Sequence, residues 1–297
     1  MEKKFDMTAG DVSESQDLIE KNSKSNLVDE KEDPLKIVVE ISDSSPIVIL
    51  FGAKTSGKTM TLIRLARYLK EKGYIIEPDR TFRPSNSEHY TQMCDSFDEN
   101  IFSDAAPSGT QALSFMLVKI SNKHGDPICQ VLEAPGEHFF DDETDVQFPP
   151  YLNQIKGNNN PKTWIFIVEL DWKNQSVRYK YANRIKEMRN EINPSDRIVL
   201  MCHKADMKKK YYYKNNPDIK HFYRDVKQQY PAIFEGHKKS NPFSRLFLAY
   251  DMDFIVFSAG DFNETLDGIT KTYTPSNPKY PEVLWKKILK TVKGSWF

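Results

Sequence analysis

Apolar positions along the chain gather into short continuous runs separated by amphipathic stretches. Pro46–Phe51, Pro127–Glu133, Thr163–Leu170, Arg197–Cys202 and Phe254–Phe257 are such runs, and Leu113–Ile120 reads as another strand. Continuous apolar runs of this length predict strands covered on both faces, the usual state of a parallel sheet. Only the turn residues Ser121–Asp126 separate Leu113–Ile120 from Pro127–Glu133. So short a connection permits antiparallel pairing alone. Leu35, Ile37, Val39 and Ile41 alternate with other residues and predict an edge strand before Pro46.

Helical spacing marks the intervals. Val177, Tyr181, Ile185, Met188 and Ile192 form one stripe, ended by Pro194. Near Glu282–Val292 a second stripe has Leu284, Ile288 and Leu289 on its apolar side and Lys286, Lys287 and Lys290 elsewhere. Tyr90, Met93, Cys94 and Phe97 suggest a short helix within an otherwise weakly periodic stretch, 74–108. Strands alternating with helices predict an α/β fold: a mostly parallel sheet, helices on both faces and one antiparallel hairpin.

Composition narrows this picture. At 297 residues the chain fits one large domain with a tail. Three cysteines cannot all pair internally, and Cys129 and Cys202 sit in apolar runs while Cys94 lies in a polar segment. That usage indicates a reducing compartment. The first residues lack the apolar stretch of a signal peptide, and no run approaches the length of a membrane span, so the expectation is cytoplasmic with no transmembrane segment. Net charge is zero but uneven: residues 1–45 carry 12 Asp and Glu against 6 Lys. Residues 1–33 read as an acidic disordered tail, leaving 34–297 as the domain.

Chemistry enters at Gly52-Ala53-Lys54-Thr55-Ser56-Gly57-Lys58-Thr59, which matches G-x-x-x-x-G-K-[ST]. It follows the Pro46–Phe51 strand and precedes a helical pattern of Leu62, Leu65 and Leu69 closed by Gly73. In this setting the glycines permit a tight turn whose N–H groups surround a phosphate. Lys58 would reach the β and γ phosphates and the Thr59 hydroxyl would ligate Mg²⁺. Lys54, Thr55 and Ser56 complete the loop, and Lys54 adds positive charge there. The prediction is a nucleoside triphosphate site.

Ligands of open α/β sheets bind at the carboxyl ends of the strands. After Pro127–Glu133 comes Glu133-Ala134-Pro135-Gly136, a carboxylate for a metal and a glycine N–H for a γ-phosphate. After Arg197–Cys202 comes His203-Lys204-Ala205-Asp206. An Asp there can accept from guanine N1–H and the 2-amino group, while the Lys stem covers the base; adenine would leave that Asp unpaired. After Phe254–Phe257 comes Ser258-Ala259-Gly260, whose backbone can contact the guanine oxygen.

This ordered set resembles the Ras-like P-loop GTPases of the translation-factor-related class over about residues 46–297. The resemblance implies GTP/GDP and Mg²⁺ as ligands, and a slow Mg²⁺-dependent hydrolysis serving a molecular switch. It implies a first switch at Gly109-Thr110, with Thr110 ligating the metal beside Thr59 and Glu133. It also implies a protein effector or activator. Several residues depart from the family pattern. Glu133 stands where Asp is usual, and His203 where Asn or Thr is usual. Glu137, followed by His138, replaces the water-positioning residue, so Lys58, Thr110 and Glu137 are the candidate catalytic set. Two alternatives share the phosphate loop: a non-hydrolysing nucleotide-binding scaffold, and a P-loop kinase or ATPase, which would leave the hairpin and motif order unexplained.

Two stretches exceed what small GTPases need, 74–108 and 207–250. The second interleaves Lys208-Lys-Lys-Tyr-Tyr-Tyr-Lys214 with Lys220, Tyr223, Arg224, Lys227, Lys238 and Lys239. That pattern suits nucleic acid, an acidic partner or an anionic membrane.

Overall fold

The computed structural model describes residues 36–84, 87–102, 115–134, 149–172, 174–213, 216–239, 249–264 and 271–293. Thr110, Gly136, Glu137 and the acidic tail lie outside these residues.

Seven strands form the main sheet: β1 (Ile47–Phe51), β2 (Ile75–Pro78), β3 (Leu117–Ser121), β4 (Pro127–Glu133), β5 (Lys162–Glu169), β6 (Arg197–His203) and β9 (Asp253–Val256), ordered β2-β3-β4-β1-β5-β6-β9. Pairings from β4 through β1, β5 and β6 to β9 are parallel, while β2–β3 and β3–β4 are antiparallel. Every residue of β1 is fully buried, so both faces of the sheet are covered. This is a mostly parallel P-loop sheet with helices on both faces.

The helices are α1 (Lys58–Glu71), α2 (Ser87–Phe102), α3 (Pro150–Gly157), α4 (Gln175–Met188), α5 (Ile219–Gln229), α6 (Pro231–Gly236) and α7 (Lys279–Val292). Helix α1 begins at Lys58, and Gly73 ends its run with φ +81°, a conformation that costs glycine little. Helices α1 and α7 pack together, as do α4 and α6. The apolar stripes predicted at 177–188 and 284–289 lie on α4 and α7. Ile192, expected on the α4 stripe, is buried in the turn beyond the helix.

The expected edge strand near Ile37–Ile41 does not form. Strand β1 lies between β4 and β5 and has no edge beside it, and β2 occupies the outer side of β3. Ile37 is instead a buried residue of an irregular segment, held through the Glu40 N–H to the Phe82 carbonyl at 2.9 Å. Strand β3 also starts later than the apolar run, at Leu117. Phe115 adopts φ +66°, which interrupts extended backbone, and its ring packs against Phe82 and Tyr151.

The 74–108 stretch supplies β2 and α2 as far as Phe102, so Cys94 is buried despite its polar neighbours. The 207–250 stretch folds into 3₁₀ turns, the two-residue strands β7 (Tyr212–Tyr213) and β8 (Asn216–Pro217), and helices α5 and α6. A further antiparallel pair, β10 (Gly260–Glu264) with β11 (Lys271–Pro275), lies apart from the main sheet. Sequence patterning did not anticipate it.

Trp164 is fully buried on β5, and its indole N–H donates to Asp196 at 3.0 Å. Trp164→Ala is therefore expected to cost about 3–5 kcal/mol of unfolding free energy. Urea unfolding would measure it, and a loss below about 1 kcal/mol would contradict the packing described.

Candidate functional site

Parallel pairing brings the carboxyl ends of β4, β1, β5, β6 and β9 to one edge. Leu50 is level with Glu133, Phe51 with Phe166, Glu169 with His203, and Cys202 with Val256. The segments singled out by sequence at 52–59, 133, 203–206 and 258–260 all leave from that edge.

The loop after β1 is wound by two left-handed residues, Thr55 at φ +63° and Gly57 at φ +91°. Gly57 is also the N-cap of α1, and no side chain caps the helix there, so its first N–H groups stay available to an anion. A side chain at Gly57 would collide with His203, a Cβ coming within 2.5 Å of the imidazole. A Cβ at Gly52 would sit 2.4 Å from Ser56 Oγ. Lys58 is buried and curls over the loop, its Nζ donating to the carbonyls of Gly52 (2.9 Å) and Ala53 (3.0 Å). Lys54 is exposed.

Thr59, at the start of α1, donates its hydroxyl hydrogen bond to the carboxylate of Glu133, at the end of β4. Thus the two described residues expected to hold a metal are in contact, and Glu133 is almost wholly buried. Their hard oxygen donors suit Mg²⁺, which binds through few protein ligands plus phosphate and water. Among the described residues no cluster of three His, Cys, Asp or Glu could hold an ion by itself.

The other side of the edge is built by β6 and β9. His203 is buried against Gly57 and Phe257, and neither ring nitrogen has a hydrogen-bond partner. Burial, aided by the Lys204 charge, pushes its pKa down to about 3, so the imidazole is neutral. Lys204 takes φ +55° and pairs with Glu169 at 2.6 Å. Asp206 lies in a 3₁₀ turn, Ala205–Met207, and its Oδ2 is buried without a hydrogen-bond partner. Burial raises its pKa; the hydroxyl of Ser258 opposes the shift and the neighbouring Asp261 adds to it. Ser258 and Ala259 are both buried beside it.

Sequence reasoning missed the support of this last loop. Arg64, buried on α1, donates through Nη2 to the Ser276 carbonyl at 2.9 Å. The Ser276 hydroxyl donates to the Ser258 carbonyl at 2.7 Å, and the Ser276 N–H to the Ala259 carbonyl at 3.2 Å. Tyr273 on β11 adds its hydroxyl to Ala259 at 2.6 Å. A lone arginine among the apolar residues Leu62, Ile63, Leu65 and Ala66 was the available signal for Arg64. Nothing local pointed to Ser276 or Tyr273.

The phosphate loop between β1 and α1 and the sheet order together form a P-loop NTPase fold. No family model matches the chain. Over 154 residues, half of this chain, it is 25% identical to the signal recognition particle 54 kDa protein of Pyrococcus furiosus. The same protein of Thermococcus onnurineus is 23% identical over 154 residues. The chain spans about a third of the length of these curated relatives, 33% in each case. Among solved structures it is similar to Toc33 of Arabidopsis thaliana in complex with GDP and Mg²⁺, at 13% identity over 94% of this chain and 92% of that one, with a TM-score of 0.44. A nucleolar GTP-binding protein 1 of Plasmodium falciparum gives 14% identity, coverage of 85% and 90%, and a TM-score of 0.41. At these scores the functional reading rests on the chain's own residues.

Arg64→Ala would strip the Ser276 carbonyl of its buried donor, and the expected loss is about 1–3 kcal/mol. Arg64→Lys should recover only part, because an ammonium lacks the guanidinium's flat multi-donor geometry. Thermal unfolding of both variants checks this; equal stability of all three proteins would remove Arg64 from the support of the loop.

Proposed function

We propose that this chain binds GTP and GDP with Mg²⁺ and acts as a slow GTPase switch of the Ras-like, translation-factor-related class. The observation that carries the reading is the set of buried, unpartnered polar atoms at one sheet edge: Ser56 Oγ, both nitrogens of His203 and Asp206 Oδ2. Such atoms are uncommon in folded proteins, and their grouping beside a phosphate loop fits a polar, planar ligand. The antiparallel β3–β4 pair next to β1 supports the class, since the motif order expected a hairpin there.

In this reading the loop N–H groups and Lys58 hold the β and γ phosphates, with Lys58 leaving the loop carbonyls it now bonds. Thr59 and Glu133 hold Mg²⁺, which when bound would neutralise charge on the phosphate oxygens. Asp206 accepts from guanine N1–H and the 2-amino group. The neutral imidazole of His203 offers one donor and one acceptor to the purine, so its contact is insensitive to pH across the neutral range. Ser258 and Ala259, held by their carbonyls from behind, present backbone N–H groups to the guanine oxygen. Thr110, Gly136 and Glu137 are proposed for the γ-phosphate side, and a protein activator would complete the hydrolytic machinery.

Titration of the purified chain with GTP, GDP and ATP, with and without Mg²⁺, tests this directly. Tight, Mg²⁺-dependent GTP binding is expected, and equal affinity for ATP would overturn the guanine assignment. Lys58→Ala should weaken GTP at least a hundredfold, about 3 kcal/mol. Asp206→Ala should weaken GTP by roughly tenfold or more and leave ATP unchanged. Single-turnover phosphate release separates the slow GTPase from a non-hydrolysing scaffold.

A pH dependence follows from Asp206. Guanine needs its ionised form, and burial raises its pKa, so protonation competes with GTP from above the ordinary aspartate range. GTP affinity should therefore fall as the solution is acidified, at a higher pH than an exposed aspartate would give. The Asp206→Ala variant should lose that dependence.

A further inference from the structure

Seven large apolar side chains are exposed among the described residues, and three of them fall within the single stretch 207–219. They are Met207, 69% exposed, Tyr213, 68%, and Ile219, 45%. Singly scattered apolar side chains need no account, but a local group does.

The stretch is folded. Tyr211 is buried at its centre, its carbonyl accepts from the Asp218 N–H at 2.8 Å, and its ring packs against His221 and Phe222 at 4.6 and 4.8 Å. Tyr213 lies opposite Asn216 across the β7–β8 pair, and α5 starts at Ile219 under the Asp218 cap. Lys208 and Lys210 pair with Asp171 at 3.1 and 3.9 Å and Arg224 with Asp225 at 3.1 Å, while Lys209 and Lys220 are also exposed. Residues 207–239 carry nine Lys and Arg against three Asp and Glu.

Folding also changes what the sequence pattern means. Of the three consecutive tyrosines, Tyr211 is buried and Tyr212 turns its hydroxyl onto that of Tyr280. Tyr223 packs between Phe234 and Phe254. Among the described residues of the stretch one tyrosine remains exposed, Tyr213, together with a methionine and an isoleucine that have no π face. Single-stranded nucleic acid needs a row of aromatic platforms, and the described residues of this stretch offer none. Exposed aliphatic and amphipathic side chains interspersed with exposed lysines along 207–220 match the boundary between acidic headgroups and acyl chains instead.

We propose that the surface formed by Met207, Tyr213 and Ile219 with Lys209, Lys210 and Lys220 docks the protein on an anionic lipid bilayer. The apolar side chains enter the headgroup boundary and the lysines face acidic headgroups. Met207 directly follows Asp206, so docking brings the carboxyl edge of the sheet near the bilayer. The proposal stands whether or not that edge binds guanine nucleotide.

Co-sedimentation of the full chain with phosphatidylcholine vesicles, with and without phosphatidylserine, tests it. Binding should require phosphatidylserine, and added salt should weaken it without abolishing it. Lys209→Glu with Lys220→Glu should lower partitioning roughly tenfold or more. Met207→Ser, Tyr213→Ser and Ile219→Ser together should remove the salt-resistant part, at an unchanged thermal midpoint. The salt series on the unaltered chain keeps the test decisive if a variant misfolds. Binding to neither vesicle, equal binding to both, or capture of an oligonucleotide or polyglutamate in place of vesicles would overturn the proposal.

Discussion

Strand β1 is the constraint on which the rest of the structure depends. It is flanked in parallel by β4 and β5, fully buried, and continuous with the loop that winds into α1. Parallel pairing carries direction as well as position: once β1 ends at Phe51, the ends of β4, β5, β6 and β9 follow at the same edge. Residues separated by some two hundred positions, such as Gly57 and Ser258, thereby share one surface. The antiparallel strands lie outside this set, with β2 and β3 on one flank and β10–β11 detached, so they leave the edge intact.

What the edge collects is costly without a ligand. A buried polar atom with no partner costs about 1–3 kcal/mol, and Ser56, His203 and Asp206 each contribute at least one. His203 is a neutral, sequestered imidazole lodged against a glycine with φ +91°, where an apolar ring would fill the space without the desolvation. The three cysteines make the contrast. Cys94, Cys129 and Cys202 are also buried, their thiols pushed up to about 11, 12 and 12, and they behave as small apolar fillers. Burial of sulfur serves the core, whereas the buried nitrogens of His203 and carboxylate oxygen of Asp206 lie at an edge where a polar molecule could pair with them.

Much of this was legible in the sequence because it is encoded locally. Continuous apolar runs marked six of the seven sheet strands to within a few residues, and the glycine spacing of 52–59 marked the loop. The misreadings have one physical origin: the outcome was decided by residues far away. Alternation at Ile37–Ile41 found no place beside β1, because β4 and β5 occupy both of its sides. Strand β2 is a short edge element with alternating exposure, too weak a pattern to stand out before its partner β3 is known. In the 207–250 stretch, charge and aromatic content were read together, yet folding separates them, sending most tyrosines inward and most lysines outward.

The support of the Ser258–Ala259 loop shows why such sites resist reading from motifs. Helix α1 carries Thr59 at its start and Arg64 further along, and the two residues hold different parts of the edge. Thr59 bonds Glu133 on the phosphate side; Arg64 bonds Ser276, which in turn holds the carbonyls of Ser258 and Ala259. A helix is stiff over so short a span, so a displacement of its first turn is felt at the second contact. The Thr59–Glu133 contact and the loop at Ser258–Ala259 are thus mechanically joined through one helix and one buried arginine. In the switch proposed above, occupancy at one end of a ligand would alter the packing at the other through such a joint. The contact needs no motif, only a donor of the right reach at a buried position, and for that reason it becomes visible only when the chain is folded.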